Sequence, residues 1–266
     1  MRNALRLLAF LLLTLVPACA NLNMFSDEYM NALGVQAYAE ETKSAVEIKT
    51  GADYEMVQRV GQKIAAASEA SFAWEFKLLK ADKEANAFCL PGGKVAIYTG
   101  ILPTTMNESG LAAVMGHEVA HAILRHGGKR MTQEALLSVA LGAVQEGMSL
   151  SEMSKESREL TMLALGVGSR LGMLLPYSRG HETEADIDGL RYAIRAGYDP
   201  WEAPKLWERM SKLGGGGTPV WLSTHPAPDA RAAYLRELIP QLTAQEQQWR
   251  PKSVTPVLKV ATGSRQ

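Results

Sequence analysis

Apolar residues recur along this chain with two periods, and the change from one to the other marks out the expected elements. From Ser26 to about Glu47 the spacing is helical, with Ser26 placed to cap and Asp27 and Glu28 at the positive end of the dipole. Lys49-Thr50-Gly51 breaks the pattern, and a second helix from Asp53 to about Ala67 carries Met56, Val57, Val60 and Ile64 on one face. Phe72, Trp74, Phe76 and Leu78 then alternate, predicting a strand over Phe72–Leu79. Asn86–Leu90, the Pro91-Gly92-Gly93 turn and the β-rich Lys94–Thr99 predict a hairpin. Beyond Thr105 the helical period returns, over about 107–126, 131–147, 152–174, 180–196, 200–212 and 227–239. The expected fold is therefore α+β, mainly helical, with a small β-sheet. Segments 135–149 and 160–175 are rich in Leu, Met, Ala and Gly, yet each is too short or too interrupted by charge for the ~20 residues of a membrane span. They read as core helices, with a mobile lid as the alternative. Gly214–Gly217 reads as a flexible linker, the tail beyond about Thr243 as poorly ordered, and no internal repeat is present.

Composition narrows the class. The 266 residues are 47% apolar and 21% charged, enough for one main domain with a sizeable core. Net charge is zero, so the chain lacks the basic field of a nucleic-acid binder, and no nucleic-acid partner is expected. Arg2 and Arg6 precede an apolar run from Leu7 to Val16 that suits the ~7–15 residues of a secretory signal core. Val16-Pro17-Ala18-Cys19 resembles the lipobox of bacterial lipoproteins, so residues 1–18 are expected to be a signal peptide and Cys19 an acylated first residue anchoring the protein to a membrane, the alternative being an ordinary signal peptide cut nearby with Cys19 removed or free. By analogy, Ala20 and Asn21, in place of an aspartate, point to outer-membrane sorting of an exported, periplasmic protein. Cys89 would then be the remaining thiol, a Cys19–Cys89 bridge being the competing account.

The chemistry concentrates in Gly116-His117-Glu118-Val-Ala-His121. His117 and His121 lie one helical turn apart, so both imidazoles leave the same face and can bind one cation, while Glu118 points beside it, where a general base would stand. Chance matches to this motif often fall on solvated helices, but here the flanks are apolar, and a zinc ion with its water would partner three polar side chains in a buried helix. A catalytic zinc takes three protein ligands and keeps one position open. A metzincin would have glycine and histidine three and six residues after His121; Leu124 and Gly127 stand there. His126 is expected to face away as a helix-end residue. The third ligand is sought instead in Ser178-Arg179-Gly-His181-Glu182-Thr-Glu184-Ala-Asp186, where Glu182 and Asp186 are one turn apart. One can reach zinc while the other accepts a hydrogen bond from an imidazole, that of His117. Gly189 and Ala193 continue that face with small side chains, Glu184 reads as a surface carboxylate, and His181 is a weaker ligand candidate. His225, between a glycine-rich hinge and Pro226, could swing to the metal, with Arg231 following.

These motifs, with Arg59–Ile64, Asn86–Gly93, Tyr98–Leu102 and Thr224-His225-Pro226, resemble the gluzincin metallopeptidase family that contains the heat-shock protease HtpX, the CAAX prenyl endopeptidases and the periplasmic beta-barrel assembly-enhancing protease. The membrane spans of the first two are missing, so the soluble, exported, lipoprotein-like branch is the nearer match. The resemblance implies a zinc-dependent endopeptidase, with zinc on His117, His121 and Glu182, Asp186 supporting a ligand imidazole, and Glu118 as general base. It also implies His225 and Arg231 beside the metal, stabilising the tetrahedral intermediate or, for His225, closing the open position at rest. Asn86, Ala87, Phe88 and Cys89 would form an edge strand along the cleft that binds substrate by β-augmentation. Cysteine at 89 departs from the small apolar residue more usual there. Expected domains are residues 19–50 as an N-terminal extension, 51–242 as the peptidase and 243–266 as a tail. Expected partners are misfolded cell-envelope proteins as substrates, with outer-membrane protein assembly factors. The rival is a lipid-anchored, chaperone-like quality-control protein with a latent metal site closed by His225.

Overall fold

The alternation of apolar residues reaches three dimensions as a four-stranded sheet in the computed structural model, which describes residues 22–136, 178–212, 220–225, 230–247 and 249. The expected signal segment with Cys19, the helix expected over 152–174, most of that expected over 131–147, the expected linker at Gly214–Gly217, Pro226 and the tail past 249 lie outside the described residues. Strands β1 (Glu47–Ile48), β2 (Glu75–Leu79), β3 (Ala87–Leu90) and β4 (Lys94–Tyr98) stand in the order β1-β2-β4-β3. β2 and β4 are parallel; β1 on β2 and β3 on β4 are antiparallel. The predicted hairpin is present, with Leu90 opposite Lys94 and β3 at the sheet edge.

Period two gives the sheet two apolar faces. Phe76, Leu78, Ala87, Cys89, Val95 and Ile97 enter the main core, while Leu79 and Ala96 face a smaller cluster around Tyr38. Tyr38 belongs to α1 (Asp27–Thr42), and its hydroxyl donates to the Val95 carbonyl at 2.7 Å. The first helix is shorter than its spacing predicts. It stops at Thr42 so that β1 can pair with β2, which makes the N-terminal extension part of the sheet. The expected strand over Phe72–Leu79 also begins late, at Glu75. Its partner β4 starts only at Lys94, after the turn, and the side chains of Phe72, through its Cβ, and Trp74, through its ring, instead pack over Gly93.

Beneath the sheet lie α2 (Ala52–Ser68), the four-residue α3 (Leu102–Thr105) and the central helix α4 (Glu108–Ile123). Asn107 caps α4 by accepting the Gly110 N–H at 2.9 Å, and almost every α4 side chain from Gly110 to Ala122 is buried. α4 packs on α5 (Arg179–Arg195), capped by Ser178, and α6 (Glu202–Lys212), α7 (Val220–Thr224) and α8 (Ala230–Glu246) complete the layer. α8 carries Pro240 internally and continues past residue 242, where the tail was expected to loosen, because the Arg195 guanidinium binds Glu246 at 2.6 Å. Among the described residues no helix is long and apolar enough to cross a membrane.

α4 and α5 meet at Gly116 and Gly189. A Cβ on Gly116 would stand 2.5 Å from the Gly189 carbonyl oxygen, and one on Gly189 would stand 2.6 Å from the His117 nitrogen. The backbones are therefore in contact one residue from the first histidine. Gly189→Ala forces these helices apart and should destabilise the protein by about 1–3 kcal/mol, read from the urea midpoint; a parental midpoint would show the contact can relax.

Candidate metal centre

Three helices and one turn deliver the polar side chains to a single buried point. α4 supplies His117, Glu118 and His121, α5 supplies Glu182 and Asp186, His225 follows the last turn of α7, and Arg231 lies in the first turn of α8; all are buried. His117 Nε2 is 3.0 Å from His121 Nε2, 3.2 Å from His225 Nδ1 and 3.4 Å from Glu182 Oε2. Glu182 Oε1 lies 3.2 Å from both His121 Nε2 and His225 Nδ1. One donor atom from each of these four residues falls within 4.8 Å of the others.

That donor set fits zinc. Four ligands ~2.0–2.1 Å from a tetrahedral ion lie about 3.3 Å from one another; here the His117 ring stands 3.0 and 3.2 Å from the other two rings, and one or the other Glu182 oxygen lies 3.2–3.4 Å from each ring. Charge agrees. Glu118, Glu182 and Asp186 are buried carboxylates, and Arg231 is the guanidinium among them. Among the described residues, with neutral imidazoles, this leaves two negative charges that one divalent cation would balance.

The surrounding bonds hold each donor in place. Arg231 binds both α5 carboxylates, through NH1 to Glu182 Oε2 at 2.7 Å and through Nε to Asp186 Oδ2 at 2.8 Å, and its guanidinium lies 3.6 Å over the Trp207 ring. Its donors are thus directed at the acids that flank the donor cluster. Asp186 Oδ1 lies 2.9 Å from His117 Nδ1, leaving Nε2 of that ring toward the donor cluster. Burial alone would raise the Asp186 carboxyl, but the Arg231 charge and His117 hold it below its usual value. Burial likewise opposes ionisation of Glu182, yet the ring of His117, then those of His121 and His225, hold it far below the carboxylate range. For His117, burial is outweighed by Asp186 and Glu182, which lift it to about 9. His121, by contrast, is pushed well below its ordinary value by burial.

Glu118 stands just outside the donors, its Oε1 3.3 Å from His225 Nε2 and accepting the Trp221 indole N–H at 2.6 Å. Sequence reasoning passed over Trp221. Its signal was the four-residue spacing to His225, whose backbone N–H binds the Trp221 carbonyl at 2.9 Å. Trp207, stacked on Trp221 with centroids 4.9 Å apart, was missed as well. His126 corrects the expectation that it faces away: it is wholly buried, with Nδ1 2.9 Å from His121 Nδ1. Glu184 is half exposed as expected, but its Oε2 lies 3.0 Å from His126 Nε2. His181 stacks on His126 at 4.3 Å, away from the four donors.

β3 runs along α4. The Asn86 carbonyl accepts the Tyr98 N–H, so the alternation of an antiparallel pair turns the backbone groups of Ala87 and Cys89 away from β4. Among the described residues no strand pairs with that outer edge. The Asn86 side chain accepts the Ala87 N–H at 2.9 Å, Phe88 is half-buried, and Cys89 is buried on the core face. Burial, with the Glu118 charge, pushes the Cys89 thiol well up.

The sequence signature of peptidase family M48 matches residues 52–239, which contain every donor described above. The chain is 38% identical over 188 residues to the mitochondrial metalloendopeptidase OMA1 of Schizosaccharomyces pombe, covering 70% of this chain and 52% of that protein. It is 36% identical over 163 residues to the metalloendopeptidase OMA1 of Homo sapiens, covering 59% and 30%. With a putative beta-barrel assembly-enhancing protease of Vibrio cholerae it shares 31% over 187 residues, covering 69% and 38%. The chain thus spans about half or less of the length of these relatives.

Replacing Arg231 by Leu leaves two buried carboxylates without their cation. Arg231→Leu should therefore lower the stability of the metal-free protein by about 3–5 kcal/mol, measured by chemical denaturation in chelator; an unchanged midpoint would mean that the guanidinium does not balance them.

Proposed function

This chain belongs to peptidase family M48, and from that premise we propose that it is a zinc-dependent endopeptidase in which His117, His121 and Glu182 hold the metal and Glu118 is the general base. The observation that carries this reading is the convergence of imidazoles and a carboxylate from separate elements on one buried point, with a further carboxylate beside it. Zinc, when bound, supplies Lewis-acid polarisation of the scissile carbonyl and lowers the pKa of water from 15.7 towards ~7. Glu118 takes the proton of the attacking water and passes it to the leaving amine. Trp221 holds Oε1 of that carboxylate, which directs Oε2 to the proton. Asp186 fixes the His117 ring, and Arg231 acts by holding Glu182 and Asp186 in register. An extended peptide adds to the outer edge of β3, pairing with the Ala87 carbonyl and the Cys89 backbone, while Asn86, whose side chain accepts the Ala87 N–H, and Phe88 border it.

The substrates we propose are misfolded cell-envelope proteins, met in the periplasm by a protein anchored to the outer membrane through Cys19, alongside outer-membrane protein assembly factors. The support is the lipobox-like Val16–Cys19 and the similarity to beta-barrel assembly-enhancing proteases.

A second reading has one observation in its favour. His225 Nδ1 lies among the donors, where it would fill the fourth position of a tetrahedral site. On that reading the site is latent and the protein acts chiefly as a chaperone-like quality-control factor. When His225 leaves the cluster it instead stabilises the charge that develops on the substrate oxygen.

One assay with casein separates the two. Glu118→Gln should keep its zinc and lose about 10²–10⁴-fold in hydrolysis, a parental rate being incompatible with a general base there. His225→Ala should lose activity, whereas activity gained only on removing His225 would favour latency. On fractionation, Cys19→Ser should move the protein from the membrane to the soluble fraction; a variant still retained by the membrane would contradict the anchor.

A further inference from the structure

The two histidines of α4 are supported differently, and the difference points to a role for His126. His117 has a carboxylate beside it, Asp186 Oδ1 lying 2.9 Å from Nδ1. His121 has an imidazole in the corresponding place, its Nδ1 2.9 Å from His126 Nδ1, and the other ring nitrogen of His126 lies 3.0 Å from Glu184 Oε2. His126 is wholly buried and clamped by His181, whose ring is stacked at 17° to its own.

We infer that His126 is a positioning residue for the metal site, relaying the Glu184 carboxylate to His121 and fixing which nitrogen of His121 carries its proton. The inference rests on His121 being a zinc ligand. Its Nε2 must then offer a lone pair, so its proton sits on Nδ1 and is donated to His126 Nδ1. That nitrogen of His126 must be the acceptor, so its own proton sits on Nε2 and is donated to Glu184. Each proton position follows from the one before it. Partners of this kind orient a ligand ring and raise its basicity, and losing one costs ~10–100-fold in metal affinity.

The backbone is shaped for this contact. Five residues along a continuous helix would carry His126 well round from His121. Instead α4 ends at Ile123, Arg125 adopts a left-handed φ of 60°, and a new helical segment over 126–136 begins with His126 turned back on the earlier ring. Arg125 is held in that conformation from outside, its guanidinium donating to the Phe25 carbonyl at 3.0 Å and pairing with Asp27 at 2.8 Å.

The test is the zinc affinity of the full chain, measured by competition with a chromophoric chelator, for the parent, His126→Leu, His126→Asn and His121→Ala. His126→Leu should bind zinc ~10–100-fold more weakly. His126→Asn, whose Oδ1 can accept where Nδ1 does, should recover most of that loss. Parental affinity in His126→Leu, or equal loss in Leu and Asn, would overturn the relay. Should His126→Leu fail to fold, nitrogen-15 NMR of the zinc-loaded parent decides: protonation of His121 at Nδ1 and of His126 at Nε2 is expected, and a proton on His126 Nδ1 contradicts the inference. Parental affinity in His121→Ala would sink the ligand assignment itself, separately from the relay.

Discussion

The rest of the structure depends on keeping three carboxylates charged inside an apolar core. Ionised acids out of water are costly unless paired, and among the described residues Glu118, Glu182 and Asp186 have one guanidinium between them. The arrangement around them follows from this demand. Arg231 is shared between the two α5 acids and stacked on Trp207, the His117 ring lies against Asp186, and the indole of Trp221 donates to Glu118. What remains uncompensated has the charge and donor geometry of a single Zn2+. On the proposed reading stability and chemistry share the same groups, because a cation held there would both relieve the buried charge and polarise a substrate.

Such a centre needs helices closer than ordinary side chains permit. Gly116 and Gly189 remove the side chains where α4 crosses α5, and the backbone contact sits beside His117. A wider crossing would draw Glu182 and Asp186 away from the histidines together, since both ride on the same face of α5. The sheet contributes from the opposite side. It buries one face against α4 and ends in β3, so an open backbone edge runs next to the helix that carries Glu118.

Much of this was legible in the sequence wherever a local period carries the information. The one-turn spacings of His117 with His121 and of Glu182 with Asp186 are properties of a helix, and the Pro-Gly-Gly turn between β-rich runs is a property of a hairpin. Gly189 and Ala193 already suggested a close crossing. Failures fell where tertiary partners decide. Phe72 and Trp74 alternate like a strand, but among the described residues no neighbouring strand reaches them. The end of α1 gives way to β1 because β2 offers an edge. An unbroken helix would turn His126 away from the site, whereas the left-handed Arg125 and its bonds to Phe25 and Asp27 re-aim the chain. Trp221 belongs to no motif, and only the placement of α7 against Glu118 brings it to the site.

The central claim is that one zinc ion is gripped by two histidines of one buried helix and a carboxylate of another. X-ray absorption at the zinc edge of the purified protein tests it most directly. The account predicts stoichiometric zinc surrounded only by nitrogen and oxygen at ~2.0–2.2 Å, with the multiple-scattering signature of at least two imidazoles. A sulfur shell at ~2.3 Å, which would implicate Cys89, or protein purified without stoichiometric metal that fails to take up zinc, would contradict it.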